Sequence, residues 1–142
     1  MKVTLKRMNN AVHFVAKNAE GNEVHYDGGP SIGGEGKGVG SMETVLMAAA
    51  ACSSIDVVLI LQKMRQPLED YEVEVQSTRN EDQIPKTFKT IHLHYILSGK
   101  LKEKKVKQAV ESSLEKYCSV TKMLEPTVEI SSSFEIRPPN EI

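Results

Sequence analysis

An α+β fold in a single domain is predicted by three observations. Short runs with period-two alternation of apolar and polar residues lie near both ends of the chain. A long apolar run, residues 42–65, lies between them. The order reads β-β-β, long helix, β-β, helix, β, with strands and helices segregated rather than strictly alternating, which favours α+β over a doubly wound sheet. At 142 residues the chain buries roughly two thirds of its unfolded surface and needs neither disulfide nor metal to fold. Hydrophobic residues make up 39%, charged residues 26%, and the formal net charge is −1. These values exclude a disordered tail, a collagen-like fibre and a disulfide-stapled mini-protein. A near-neutral chain also lacks the basic excess that phosphate binding requires, and with 5% aromatics and no Trp it has few bases-stacking platforms, so no nucleic-acid partner is expected.

The first strands come from residues 1 to about 27. Val3 and Leu5 share one face, Val12, Phe14 and Ala16 another, and Glu23-Val24-His25-Tyr26 forms a third strand. Asn9-Asn10 and Ala19-Glu20-Gly21-Asn22 supply the turns. Residues 27–40 then hold seven of the nine glycines. The G-x-G-x-G pattern there is not a dinucleotide fingerprint, and Lys37 is followed by Gly38 rather than Ser or Thr, so no P-loop is present. A flexible connector is the expected reading.

Ser41 is a good helix N-cap and Glu43 suits the first turn. The helix runs to about Arg65, where Pro67 enforces a stop. It is apolar in nearly every direction, and so is expected to be buried and central. The run Met42–Leu61 has the length of a membrane span. Glu43, Asp56 and Ser53-Ser54 make that span expensive in lipid, so a buried helix and no membrane partner are expected. Residues Met1–Arg7 have no apolar h-region, so no signal peptide is expected and the reducing cytoplasm is the expected compartment. Tyr71, Val73 and Val75 alternate with Glu72, Glu74 and Gln76; Ile91, Leu93, Tyr95 and Leu97 alternate with Thr90, His92 and His94. A second helix spans about Leu101–Tyr117, with Val106, Ala109, Val110, Ser113, Leu114 and Tyr117 at helical spacing. Its lysine-rich start is read as a solvated face. Val128, Ile130, Ser132, Phe134 and Ile136 form a last strand before Pro138-Pro139.

Two residues stand out chemically. Cys52 lies within the long helix and Cys118 at the end of the second, and they are the only cysteines. In a reducing compartment such a pair is read as thiols with redox chemistry rather than a static bridge. Thiolate is the nucleophile. Cys52 lies roughly 15 Å past the helix start, too far for the helix dipole to help. Asp56, four residues on, opposes ionisation if charged and near, and Glu43 faces nearly opposite to Cys52. A lowered pKa therefore needs a cation from elsewhere in the fold or from another subunit. His92-x-His94 has a spacing metals use, but no further Cys or His lies nearby in sequence and an exposed strand face accounts for it. No metal, no cofactor and no Ser-His-Asp signature is expected.

The segment Ser41–Val58, with Ala48-Ala49-Ala50-Ala51-Cys52-Ser53-Ser54-Ile55-Asp56, resembles the cysteine helix of the OsmC/Ohr family. Glu115–Leu124, with Tyr117-Cys118-Ser119-Val120-Thr121-Lys122, resembles that family's second cysteine motif. The likeness extends to motif spacing and element order over nearly the whole chain, and with residues 60–66 it is greatest to the YhfA-like OsmC branch. It implies one OsmC-like domain over 1–142: a β meander and Gly-rich loop over 1–40, then the cysteine helix, sheet and second helix over 41–142. It implies two antiparallel sheets wrapped around central helices in an intertwined homodimer.

The same resemblance implies a thiol peroxidase that reduces organic hydroperoxides in oxidative stress defence. Cys52 would be peroxidatic and Cys118 resolving, with an external dithiol as reductant. Active members of the family place a carboxylate ten residues before the cysteine, where Met42 stands here with Glu43 beside it. They also use an Arg from the N-terminal strands, where Arg7 is the only one. Glu43 and Arg7 are the candidates for those roles. The alternative is a non-catalytic protein of the same fold that holds a small apolar or thiol-bearing ligand between subunits.

Overall fold

The computed structural model describes residues 1–141. Two compact units are present, Met1–Val45 and a second from Leu46 onward. The first carries an antiparallel meander of β1 (Thr4–Arg7), β2 (Phe14–Lys17) and β3 (Glu23–Tyr26). Thr4 pairs with Lys17, and Phe14 pairs with Tyr26 across the next ladder.

The Gly-rich segment departs from the flexible connector that composition predicts. The Asp27 carboxylate accepts the backbone N–H groups of Gly28 (2.8 Å), Lys37 (3.0 Å) and Glu35 (3.2 Å). Val39 adds a parallel bridge to Tyr26, its N–H donating to the His25 carbonyl at 2.9 Å. The glycines permit this close approach. A Cβ on Gly34 would stand 1.8 Å from the Gly28 carbonyl oxygen, and one on Gly38 would stand 2.4 Å from that of His25. These hydrogen bonds hold the Asp27 carboxyl below the usual carboxylate range, Lys37 N–H contributing most.

The long helix α1 spans Ser41–Lys63. Ser41 is its first helical residue rather than its cap, and Gly40 precedes it. The Glu43 carboxylate accepts the Gly40 N–H at 3.3 Å, the backward half of a capping box. The helix stops earlier than the sequence predicts. Arg65 takes a left-handed φ of 55°, while Gln66 N–H donates to Leu61 O and Arg65 N–H to Gln62 O, both at 2.9 Å. This is a Schellman closure followed by proline.

The second unit holds a sheet of order β4-β5-β6: β4 (Leu68–Arg79), β5 (Phe88–Gly99) and β6 (Glu129–Arg137). β4 and β5 are antiparallel, as expected. β6 runs parallel to β5, with Ile91 opposite Ile130 and Leu97 opposite Ile136, so this sheet is mixed rather than antiparallel. The cause is the connection. Between β5 and β6 the chain passes through α2 (Glu103–Ser112), a π turn (Ser113–Tyr117) and α3 (Ser119–Leu124), and such a helical crossover returns the strand in the same direction. β5 is the central strand and supplies much of the core, with Phe88, Ile91, Leu93, Tyr95, Ile96 and Leu97 buried. His92 and His94 alternate with Ile91, Leu93 and Tyr95 and so lie on the opposite face from them, hydrogen bonded to Ser131 and Ser133.

Within this chain α1 is buried along one stripe, Ala49, Ser53, Val57 and Leu61. Ala51, Ile55 and Leu59 are exposed, Ile55 at 62% and Leu59 at 50%. At about 100° per residue these two stripes, each spaced by four residues, lie on nearly opposite sides of the helix. One chain covers one side only.

Candidate active site

The site is assembled from α1 and from the link between α2 and α3. Residues Cys52 and Asp56 are one turn apart and so share a face of α1. On the other side, α2 widens into the π turn. Its closing bond runs from Cys118 N–H to the Ser113 carbonyl at 2.8 Å, five residues back. This wider turn ends the helix and delivers Cys118 in an extended conformation, φ −73° and ψ 105°, as the N-cap of α3. Single π turns of this kind recur at functional sites.

Cys52 Sγ, Cys118 Sγ and an Asp56 carboxylate oxygen lie within 4.8 Å of one another. Both cysteines are free thiols; Cys118 is buried at 2% exposure and Cys52 is half-buried. Ser113 locks the two walls together. Its hydroxyl lies 3.1 Å from both the Ser53 carbonyl and Asp56 Oδ2. Its backbone carbonyl holds Cys118 in place. Thr121 N–H points at Cys118 Sγ at 3.5 Å, an N-cap bond with sulfur as acceptor. Below, Tyr95 OH donates to Ser53 Oγ at 2.8 Å and Tyr71 OH to Ser54 Oγ at 3.0 Å.

The electrostatics follow from burial. Burial pushes the Cys118 thiol above the usual thiol range; the Thr121 hydroxyl and N–H pull it down and the adjacent Cys52 adds to the rise. Cations do not figure among these influences. A folded pKa above the unfolded one means this thiol favours folding below the ordinary thiol range, and that contribution fades as pH climbs through the raised value. Tyr95 is pushed up to about 12 by burial, against the bond to Ser53, with Cys118 and Asp56 adding to the rise. It therefore stays protonated and keeps donating at any physiological pH.

Of the four residues singled out from the sequence, the structure brings Cys52 and Cys118 together. Arg7 lies in β1, where its guanidinium donates to the Ala11 carbonyl at 2.9 Å and to that of Asn10. Glu43 lies in the first turn of α1, bonded to Gly40 N–H. Ser113 is the member that sequence reasoning missed. Asp56, expected to act on Cys52 only if it lay near, does lie beside it and is a constituent of the site. The i, i+4 spacing to Cys52 carried that signal; nothing in the sequence marked Ser113 as more than a core-facing helix residue.

Comparison with known proteins agrees with this architecture. Residues 34–133 match the sequence profile of the OsmC-like protein family. Protein YhfA of Escherichia coli K12 is 46% identical over 124 residues, covering 87% of this chain and 89% of YhfA. A crystal structure of a hypothetical protein from Aquifex aeolicus VF5 superposes with a TM-score of 0.84 at 34% identity, over 98% of this chain and 97% of that one. The organic hydroperoxide resistance protein OsmC of Legionella pneumophila superposes with a TM-score of 0.71 at 17% identity, over 95% and 97% of the two chains, a likeness of fold. With a profile match across the whole cysteine helix, β4, β5 and the second cysteine motif, this chain belongs to the OsmC-like family.

Proposed function

We propose that this protein is a cytoplasmic thiol peroxidase that reduces organic hydroperoxides through Cys52 and Cys118. The observation that carries the reading is the convergence of the two sulfurs within 4.8 Å, from helices far apart in sequence. The Cys52 thiolate attacks the terminal peroxide oxygen, the O–O bond breaks, and the alkoxide takes a proton to leave as alcohol. Cys52 becomes a sulfenic acid. The Cys118 sulfur then displaces the sulfenic hydroxyl. A disulfide and one water result, the thiol proton passing to the departing hydroxide. Asp56, beside both sulfurs, is suited to carry that proton. A bond of about 2.05 Å requires the sulfurs to close by at most roughly 3 Å. An external dithiol then takes up the two electrons' worth of oxidation and restores both thiols. Hydroperoxide resistance, named for the Legionella protein of the same fold, is consistent with this chemistry.

A slight excess of cumene hydroperoxide is expected to convert the reduced protein to an intramolecular Cys52–Cys118 disulfide, read by non-reducing peptide mapping. Overoxidised Cys52 alone would remove Cys118 from the resolving role. Arg7 is proposed as the thiolate-stabilising cation, and Glu43 as the carboxylate the family places near the start of the cysteine helix. Arg7→Met is then expected to slow alkylation of Cys52 at pH 7, while Lys105→Met leaves the rate unchanged.

The working form is proposed to be a homodimer. The uncovered stripe of Ala51, Ile55 and Leu59 on α1 supports this, since an apolar helix face is stable in water only when packed. Sedimentation equilibrium at micromolar concentration is expected to give twice the chain mass, and Leu59→Asp to give a monomer. A second reading, a binding protein for a small apolar ligand, draws on a cavity of about 890 Å³ lined by Val3, Leu5, Val12, Phe14, Tyr26 and Ile32. It gains over the peroxidase reading only if reduced protein leaves cumene hydroperoxide untouched.

A further inference from the structure

We propose that Cys52, Asp56 and Cys118 form a binding site for a zinc-class divalent cation, occupied when the two cysteines are reduced. The argument begins with ligand type. Two thiolates and one carboxylate are a set that selects zinc or a similar transition metal over magnesium or calcium, which prefer all-oxygen shells.

Spacing is the second strand. Tetrahedral zinc with Zn–S near 2.3 Å and Zn–O near 2.0–2.2 Å places its sulfurs roughly 3.8 Å apart and sulfur and oxygen roughly 3.5 Å apart. The three ligand atoms here lie within 4.8 Å of one another, so a contraction of about 1 Å completes the geometry. Cys52 and Asp56, one turn apart on α1, form a two-point clasp of the kind that helical metal motifs use. Cys118 closes it from the end of the π turn.

The surroundings are the third. A metal site needs outer partners that orient its ligands, and they are in place. Ser113 Oγ stands 3.1 Å from Asp56 Oδ2 and so orients the carboxylate. Thr121 N–H points at Cys118 Sγ at 3.5 Å and so fixes the direction in which that sulfur faces. Ser113 also fixes the Cys118 backbone, so one residue sets the distance between the two ligand-bearing walls. Three protein ligands leave a fourth position for water or another small molecule.

Metal binding and disulfide formation use the same sulfurs and exclude each other. Where the peroxidase reading also holds, two metal-bound thiolates, one hydroperoxide and two protons give the disulfide, one alcohol, one water and the released divalent cation. Binding to the reduced protein does not depend on that reading.

The test uses reduced, metal-free, full-length protein titrated with Co(II), a spectroscopic stand-in for zinc, in the absence of peroxide. One Co(II) per chain is expected, with thiolate-to-cobalt charge transfer in the near ultraviolet and the intense visible bands of tetrahedral cobalt, both discharged by Zn(II). Asp56→Asn is expected to weaken Co(II) binding about tenfold or more, Cys118→Ser to remove the charge-transfer band, and His92→Ala to change neither. On the unaltered protein, one equivalent of Zn(II) is expected to shield both cysteines from alkylation, a readout that needs no variant to fold. Absence of a charge-transfer band, or unshielded cysteines with Zn(II) present, overturns the site. An undiminished Co(II) affinity in folded Asp56→Asn does so as well. Hydroperoxide turnover is measured separately on metal-free protein, so failure of the peroxidase reading and failure of the metal site are told apart.

Discussion

Cys52→Ser is expected to lower the consumption of cumene hydroperoxide by at least about a thousandfold, which corresponds to roughly 4 kcal/mol of lost transition-state stabilisation. Serine keeps the shape of the site but has no accessible anion at neutral pH, and its oxygen cannot accept oxidation as sulfur does. Cys118→Ser is expected to behave differently. The first equivalent of peroxide is still consumed, because Cys52 remains. Turnover then stalls at the sulfenic acid, because the group that displaces its hydroxyl is gone. A stopped-flow trace with a burst of one equivalent per chain and a slow steady state identifies Cys118 as the resolving residue. Equal loss of burst and steady state in Cys118→Ser would place it in the first step instead. Full activity in Cys52→Ser would exclude the assignment of the nucleophile.

The second large effect is on stability. Leu93 is fully buried in β5, the central strand of the second unit's sheet. Leu93→Ala is expected to lower unfolding stability by about 2–5 kcal/mol, the lost burial of the side chain plus the void it leaves. That is a large fraction of the roughly 5–15 kcal/mol available to a typical domain. Ile84→Ala, at a side chain 97% exposed, is expected to change stability by no more than about 0.5 kcal/mol. Urea unfolding of both variants at one protein concentration checks the contrast. Equal midpoints for the two would mean that β5 does not carry the core.

The order of elements was legible because each has a local period. Val73 and Val75 against Glu72 and Glu74 mark β4, and Val106, Ala109 and Val110 mark one face of α2, whatever they pack against. The two cysteines were legible by their scarcity and by the residues around them. The boundaries of α1 were less so. Arg65 ends the helix in a left-handed conformation without the glycine that usually signals it.

Sequence alone thus determined the α+β class, the succession of three strands, long helix, two strands, helix and strand, and the pair of cysteines, one inside the long helix and one at the end of the second. These rest on interactions between residues close along the chain. The tertiary structure decided the rest. β6 lies parallel to β5 because of where the crossover returns it, a matter of path that no local period encodes. The Gly-rich segment is tied down because Asp27 collects N–H groups from residues up to ten positions away. α1 has one buried and one uncovered apolar face because a single chain supplies packing partners on one side. Asp56, Cys52 and Cys118 become one site because Ser113 bonds the π turn to α1 across 57 residues of sequence separation. Such contacts between distant segments form only once the chain has folded, and the chemistry of the site depends on them.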